Sequence, residues 1–169
     1  EEVLHTSEEI EEVCEKIGKQ ISEDYKDKKP VLIGLLKGSI PFMAELMKHI
    51  KCEMETEYMK ASSYVGTHST GAVTIHQDVS IDVKGRHVII VEDIIDTGRT
   101  LNDIYQLLKA RKPLSLSLVT VLDKPSRRIV EFEADWSLFT IPDFFVIGYG
   151  LDCAEYYRNL PYIAEYGEK

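Results

Sequence analysis

Cysteine is scarce and scattered in this chain: Cys14, Cys52 and Cys153 are odd in number, far apart and never in C-x-x-C spacing. That pattern argues against a disulfide framework and against structural zinc, and it fits a reducing, cytoplasmic setting. Long apolar runs are also missing. Val31 to Leu36 is far too short to span a bilayer, so no membrane association is expected. Glu1-Glu2-Val3 offers neither a basic nor an apolar leader region, so no secretory signal is expected. Basic charge is in deficit, with 20 Lys and Arg against 29 Asp and Glu and a net charge of -9. A chain so acidic does not adhere broadly to nucleic acid. Two familiar phosphate-binding signatures are absent as well. Gly34 to Ser39 has the wrong length for a Walker loop and puts its lysine before the glycine, and no G-x-G-x-x-G occurs. Familiar kinds of NTPase and nicotinamide enzyme are thereby set aside.

What remains is the composition of a soluble globular protein, 44% hydrophobic and 29% charged, sized for a single domain over residues 1–169. Thr6 and Glu9 stand in capping-box spacing, and Ile10, Val13, Cys14, Ile17 and Ile21 then recur at helical intervals. Val31 to Leu36 reads as a buried strand, Lys37-Gly38-Ser39 as a tight turn, and Pro41 as the first turn of a helix towards Ile50. The same strand–turn–helix order returns from Val88 to Ala110. Glu53 to Ser63 and Val73 to Ile75 suit a hairpin around a mobile loop, and further strands are expected at Ser115 to Leu122, Trp136 to Phe139 and Phe144 to Ile147. Strands alternating with helices predict an α/β fold with a mostly parallel central sheet flanked by helices. Ligands of such sheets gather beyond the carboxyl ends of the strands. Lys37, the acids after Val91, Lys124 and Asp152 all follow predicted strands, which places them on one edge.

The densest signal is Val88-Ile89-Ile90-Val91-Glu92-Asp93-Ile94-Ile95-Asp96-Thr97-Gly98-Arg99-Thr100. An apolar strand runs into three carboxylates, which repel one another unless a cation or a polyhydroxyl ligand lies among them. The Thr-Gly-Arg-Thr turn then supplies hydroxyls and backbone N–H groups where a helix begins, a setting that favours an anion. A cation site beside a phosphate site suits a magnesium-bound sugar phosphate. In the plainer alternative, Asp96 caps the helix and Glu92 and Asp93 are solvated loop acids.

This segment resembles the phosphoribosyl-pyrophosphate signature of type I phosphoribosyltransferases. Leu35-Leu36-Lys37-Gly38-Ser39 is similar to that family's pyrophosphate loop. Leu122 to Arg128 and Phe145 to Asp152 resemble the base pocket of its 6-oxopurine, purine-salvage branch, and Ser62-Ser63-Tyr64 with Ser69-Thr70-Gly71 resembles its lid. The resemblance implies transfer of phosphoribose from 5-phosphoribosyl 1-pyrophosphate to hypoxanthine or guanine, giving IMP or GMP and pyrophosphate with Mg2+. It implies that Thr97, Gly98, Arg99 and Thr100 hold the 5′-phosphate and that Glu92 and Asp93 hold the ribose hydroxyls, directly or through magnesium. Asp96 would be the general base facing purine N7. Lys124 would contact O6, Phe145 would stack on the base, and Val146 would meet it through its backbone. Asp152 would approach a second magnesium, while Lys37, Gly38 and Arg158 would surround the pyrophosphate. A lid near 63–75 would contact substrate through Ser63 and Tyr64. The resemblance further implies a small hood built by the terminal segments, a cis peptide between Leu36 and Lys37, and a homodimer or homotetramer.

Local pattern gives several of these residues other roles. Lys124 could be a surface lysine paired with Asp123. Periodicity favours core packing for Phe145, and Arg158 could lie over the tyrosines beside it. His49, His76 and His87 have no acids at ligand spacing and are expected to be structural or surface residues, His68 a loop tip, and Trp136 core. The family pattern is broken at Cys153, where an aromatic commonly follows the aspartate, and in the lid at Val65 to His68. Two other functions stay open: transfer to xanthine, and an RNA-binding regulator on the same scaffold, which would need a basic stripe and against which the net charge of -9 and the lack of an aromatic-interleaved basic segment argue.

Overall fold

A computed structural model describes residues 2–63 and 73–167 of the chain. In chain order the elements are β1 (Glu2–His5), α1 (Ser7–Asp24), β2 (Val31–Leu35), α2 (Ile40–Lys48), β3 (Glu55–Ser63), β4 (Val73–Gln77), β5 (His87–Ile95), α3 (Arg99–Ala110), β6 (Ser115–Asp123), β7 (Trp136–Thr140), β8 (Val146–Ile147) and β9 (Ile163–Glu165). Six strands form the main sheet in the order β4-β3-β2-β5-β6-β7. Its pairings are parallel except for the hairpin partner β4. This is the α/β arrangement that the alternating pattern predicts.

The central strands are buried because both faces of the sheet are covered. On one face Leu32, Ile89, Val91, Val119 and Val121 pack with Ile10, Cys14 and Ile21 of α1 and Phe42, Met43 and Leu46 of α2. On the other, Val31, Ile33, Val88, Ile90 and Leu118 pack with Leu101, Ile104 and Leu108 of α3. The split follows strand alternation, which sends neighbouring side chains to opposite faces. Helix α1 opens as its sequence dictates, with the Thr6 hydroxyl accepting the Glu9 N–H at 3.2 Å. Pro41 lies in the first turn of α2, where its missing N–H costs nothing.

Three differences from the expected elements matter. Strand β5 does not stop at Val91. It stays paired with β6 through Glu92↔Thr120, Ile94↔Leu122 and Ile95↔Asp123, so Glu92 and Asp93 belong to the strand and only Asp96 follows it. The expected strand at Phe144 to Ile147 shrinks to Val146–Ile147, and it joins a second, antiparallel sheet of order β1-β9-β8 instead of the main one. Asp152 therefore does not follow a strand of the main sheet; the loop after β8 delivers it. The lid segment falls largely on residues 64–72, including Tyr64, which lie outside the described residues; its flanks are the paired strands β3 and β4. Trp136 packs part-buried against the core, as expected. Among the described residues no helix is long and apolar enough to cross a membrane.

Ile90, fully buried at the centre of the sheet, tests this packing. Ile90→Ala is expected to cost about 2–5 kcal/mol through lost burial and the cavity left behind. The midpoint of urea unfolding should fall with an unchanged denaturant slope. An unchanged midpoint would show that the two helical layers do not press on this strand.

Candidate active site

The carboxyl end of β5 and the start of α3 make the first corner of the site. Glu92 and residues 94 to 101 line a cleft of about 130 Å³. Gly98 turns the chain into α3 with a φ of 82°, a left-handed conformation that suits glycine, and a Cβ there would lie 2.9 Å from the Arg128 side chain. The helix is capped by this glycine and not by Asp96, which removes the plainer role for that acid. Thr97 stays at the turn, its hydroxyl accepting the Arg99 N–H at 3.3 Å. No acidic side chain stands in the first turn of α3 itself, which leaves the positive end of the helix dipole uncompensated there.

Glu92 and Asp93 are adjacent and partly buried. The Glu92 carboxylate accepts the Asp93 N–H at 2.9 Å and the Asp93 carboxylate accepts the Ile94 N–H at 2.7 Å. Loss of water, and then the Asp93 charge, raise the Glu92 pKa well above the usual carboxylate range. Burial also raises that of Asp93, opposed by hydrogen bonds from its neighbours and by the Arg158 charge. Two acids so placed hold a proton or a cation between them.

A second corner forms where three loops meet. A Cβ on Gly38 would lie 1.8 Å from Oδ2 of Asp93, and one on Gly150 would lie 2.0 Å from the Gly38 carbonyl oxygen. Bare glycine backbones thus let the Lys37–Gly38 turn, the acids of β5 and the loop after β8 touch. The Leu36–Lys37 peptide is cis, as the sequence resemblance implies. Arg158 donates to the Gly150 carbonyl at 2.7 Å and lies 3.5 Å from Asp152 and 3.2 Å from Glu155. It is thus locked into this corner and not laid over the tyrosines. Lys37 pairs with Glu155 at 2.9 Å. Glu155 is a member of the site that the sequence alone did not single out. Asp152 accepts the Glu155 N–H at 2.9 Å. Among the described residues no group of three or more His, Cys, Asp or Glu side chains is arranged to hold a metal.

The third corner faces Asp96 across the turn after β6. Lys124 is only 6% exposed, so it is not a surface lysine. Its acid partner is Asp143 at 3.6 Å, and Asp123 pairs instead with Arg128. Arg128 also donates to the Asp96 carbonyl at 2.8 Å, while Arg127 donates to the Asp96 carboxylate at 3.0 Å. Phe145 is 53% exposed, its ring inclined at 67° to that of Tyr166 with 5.9 Å between centroids. The packing role that periodicity favours for it is therefore wrong: half of the residue stands at the surface. Val146 is buried in β8. Arg127, Arg128 and Asp143 were also not chosen from sequence, although both arginines lie in the Leu122–Arg128 motif. His76 and His87 bond to Ser62 and Ser115, whereas His49, contrary to the expectation that no acid stands at ligand spacing from it, bonds to Glu45 one helical turn earlier.

A family model described as phosphoribosyl transferase domain matches residues 2–154. The chain is 56% identical over 162 residues to a hypoxanthine-guanine phosphoribosyltransferase of Streptococcus pneumoniae, covering 95% of this chain and 90% of that one. A solved hypoxanthine phosphoribosyltransferase from Staphylococcus aureus superposes with a TM-score of 0.94 at 48% identity, over 98% of this chain and 90% of the other. The Trypanosoma cruzi hypoxanthine phosphoribosyltransferase in complex with the product IMP gives a TM-score of 0.92 at 41% identity, over 98% and 93%. With the acids, the Thr97–Thr100 turn and the buried lysine assembled on one scaffold, and with matches of this extent, the chain belongs to the hypoxanthine-guanine phosphoribosyltransferase family.

Proposed function

We propose that this chain is a purine-salvage phosphoribosyltransferase that joins hypoxanthine, and also guanine, to 5-phosphoribosyl 1-pyrophosphate, releasing IMP or GMP and pyrophosphate. The observation that carries this reading is the placement on one strand end of a raised-pKa acid pair and an acid-free helix start, with a buried lysine bonded through its backbone to the same strand at 2.9 Å. In this reading Thr97, Gly98, Arg99 and Thr100 cradle the 5′-phosphate, and Glu92 and Asp93 take the ribose hydroxyls. Lys37, Gly38 and Arg158 bound the pyrophosphate, and Asp152 closes that side. The exposed Phe145 ring stacks on the base, and the backbone of Val146 meets the base edge.

The acid pair fits a magnesium ion, which takes one or two carboxylates and completes its shell with substrate phosphates and water. Glu92 and Asp93 would hold such an ion, with Asp152 near a second; bound there, magnesium would neutralise charge gathering on the departing pyrophosphate. The protein's own groups do the rest. As the bond from the anomeric carbon to pyrophosphate breaks, the purine N9 forms the new bond and the Asp96 carboxylate takes the N7 proton. General-base help of this kind is worth ~10²–10⁴-fold. The Lys124 ammonium stabilises charge spreading onto O6. It also excludes adenine, whose amino group would set donors against a donor. The chain works as one domain, residues 63–75 with Ser63 and Tyr64 closing over the substrates to keep water from the sugar cation. It acts in the cytoplasm, in keeping with its three free thiols, and as a homodimer or homotetramer.

Product analysis with each purine base, phosphoribosyl pyrophosphate and magnesium tests the reaction directly. IMP and GMP are expected; no nucleotide from any base would end this reading. Asp96→Asn should keep the fold and phosphoribosyl-pyrophosphate binding while turnover falls ~10²-fold. Full activity across the pH range would remove Asp96 as the base.

The acid pair makes a separate prediction about stability. A carboxyl whose folded pKa lies above its unfolded value of about 4.3 supports the fold while protonated, and that support is lost as pH rises through the folded value. Burial and the Asp93 charge put Glu92 in this class. In metal-free buffer Glu92→Gln should therefore match the parent's Tm below about pH 4 and exceed it increasingly towards pH 8, with reduced activity. A Tm difference that does not change with pH would contradict the raised pKa.

A further inference from the structure

Two residues outside that reaction scheme stand between the groups that read the purine. The Arg127 guanidinium forks. Its Nε donates to Oδ1 of Asp96 at 3.0 Å, and its Nη1 donates to Oδ2 of Asp143 at 3.4 Å. The other oxygen of Asp143 lies 3.6 Å from the Lys124 ammonium. Asp96, Arg127, Asp143 and Lys124 thus form one chain of alternating charge with no net excess.

The backbone fixes both ends of this chain. The Lys124 N–H donates to the Ile95 carbonyl at 2.9 Å, tying the turn after β6 to the end of β5. The Arg127 N–H returns to the Lys124 carbonyl at 3.1 Å, closing the short 3₁₀ turn Pro125–Arg127. Asp143 sits two residues before Phe145, so the chain of charges also reaches the segment that presents the aromatic ring. Three separate loops that face the base are joined through two side chains.

Stability does not account for the two pairs that Arg127 makes. Arg127, Asp96 and Asp143 side chains are 47%, 44% and 50% exposed, a degree at which ion pairs add little to folding. Orientation is a different matter. A planar guanidinium offers donors on separate nitrogens in a fixed fork and so holds two carboxylates at a set angle, whereas an ammonium supplies only a point charge.

We propose that Arg127 and Asp143 are positioning residues that set the Asp96 carboxylate and the Lys124 ammonium at one spacing, matched to N7 and O6 of a 6-oxopurine. This rests on the purine-transfer reading above. The clamp acts through Asp96 and Lys124 and touches no reacting atom. It serves hypoxanthine and guanine alike, since both carry N7 and O6 in the same relation.

Steady-state kinetics of the full-length protein, with both substrates varied, test the clamp. R127A is expected to lower kcat/KM for hypoxanthine about 10-fold, since misplacing a catalytic group by a fraction of an ångström is costly. KM for phosphoribosyl pyrophosphate and Tm should stay at parent values. R127K should stay impaired, because it restores charge and not the fork. The double variant R127A/D143N should lose little more than either single one, as members of one unit do. Four outcomes would overturn the clamp: parent-like kinetics of R127A, full rescue by R127K, additive losses in the double variant, or equal losses towards both substrates with a lowered Tm. Asp96→Asn run alongside separates the two levels. If it is fully active, the purine-transfer assignment of Asp96 fails; if it is impaired while R127A is not, only the clamp fails.

Discussion

The parallel ladder between β5 and β6 continues past the point where the apolar core ends. It runs from His87↔Ser115 to Ile95↔Asp123, so the backbone bonds of two buried strands extend under the acids and up to the lysine. Every functional corner is referred to that ladder. Glu92 and Asp93 are strand residues and cannot drift as loop acids would. Gly38 leans on Asp93, and the Lys124 amide is bonded to β5. The unfavourable closeness of Glu92 and Asp93 is sustained because the strand carrying them is held on both sides, by β2 and by β6. Burial of Val88 to Val91 against three helices supplies the free energy that this crowding costs.

Much of this was legible in the sequence, for physical reasons that differ from residue to residue. Val31 to Leu35 and Val88 to Val91 announce strands covered on both faces because they lack any polar alternation. Thr6 and Glu9 mark the start of α1 through a local hydrogen bond that needs only neighbours in the chain. The acidic stretch and its Thr-Gly-Arg-Thr turn stand out because order and residue type together suit a cation beside an anion, and the structure does put a tight turn and a helix start there. In each case the information lies within one element.

What was not legible depends on distant partners. Strands β1 and β9 are four and three residues long and exist by pairing with each other across almost the whole chain. Periodicity has nothing to work on at that length. Asp143 binds Lys124 and Arg127 from 19 and 16 residues away, and nothing around it distinguishes it from a solvated loop acid. Phe145 misleads for the opposite reason. Its apolar surroundings argue for the core, yet it stands exposed where the chain leaves the surface for β8. Asp152 was placed on the right side of the site by the wrong route, through a strand that belongs to the second sheet.

That second sheet has a consequence for how the molecule is made. β8, the strand that carries Val146, pairs within it with β9, and β9 in turn pairs with β1. During synthesis the six-stranded sheet can assemble once β7 has emerged, whereas β8 must wait for β9 before it finds its neighbour. The corner that carries Glu92 to Thr100 can therefore be built first, and the strand that carries Val146 is fastened only when β9 joins β1.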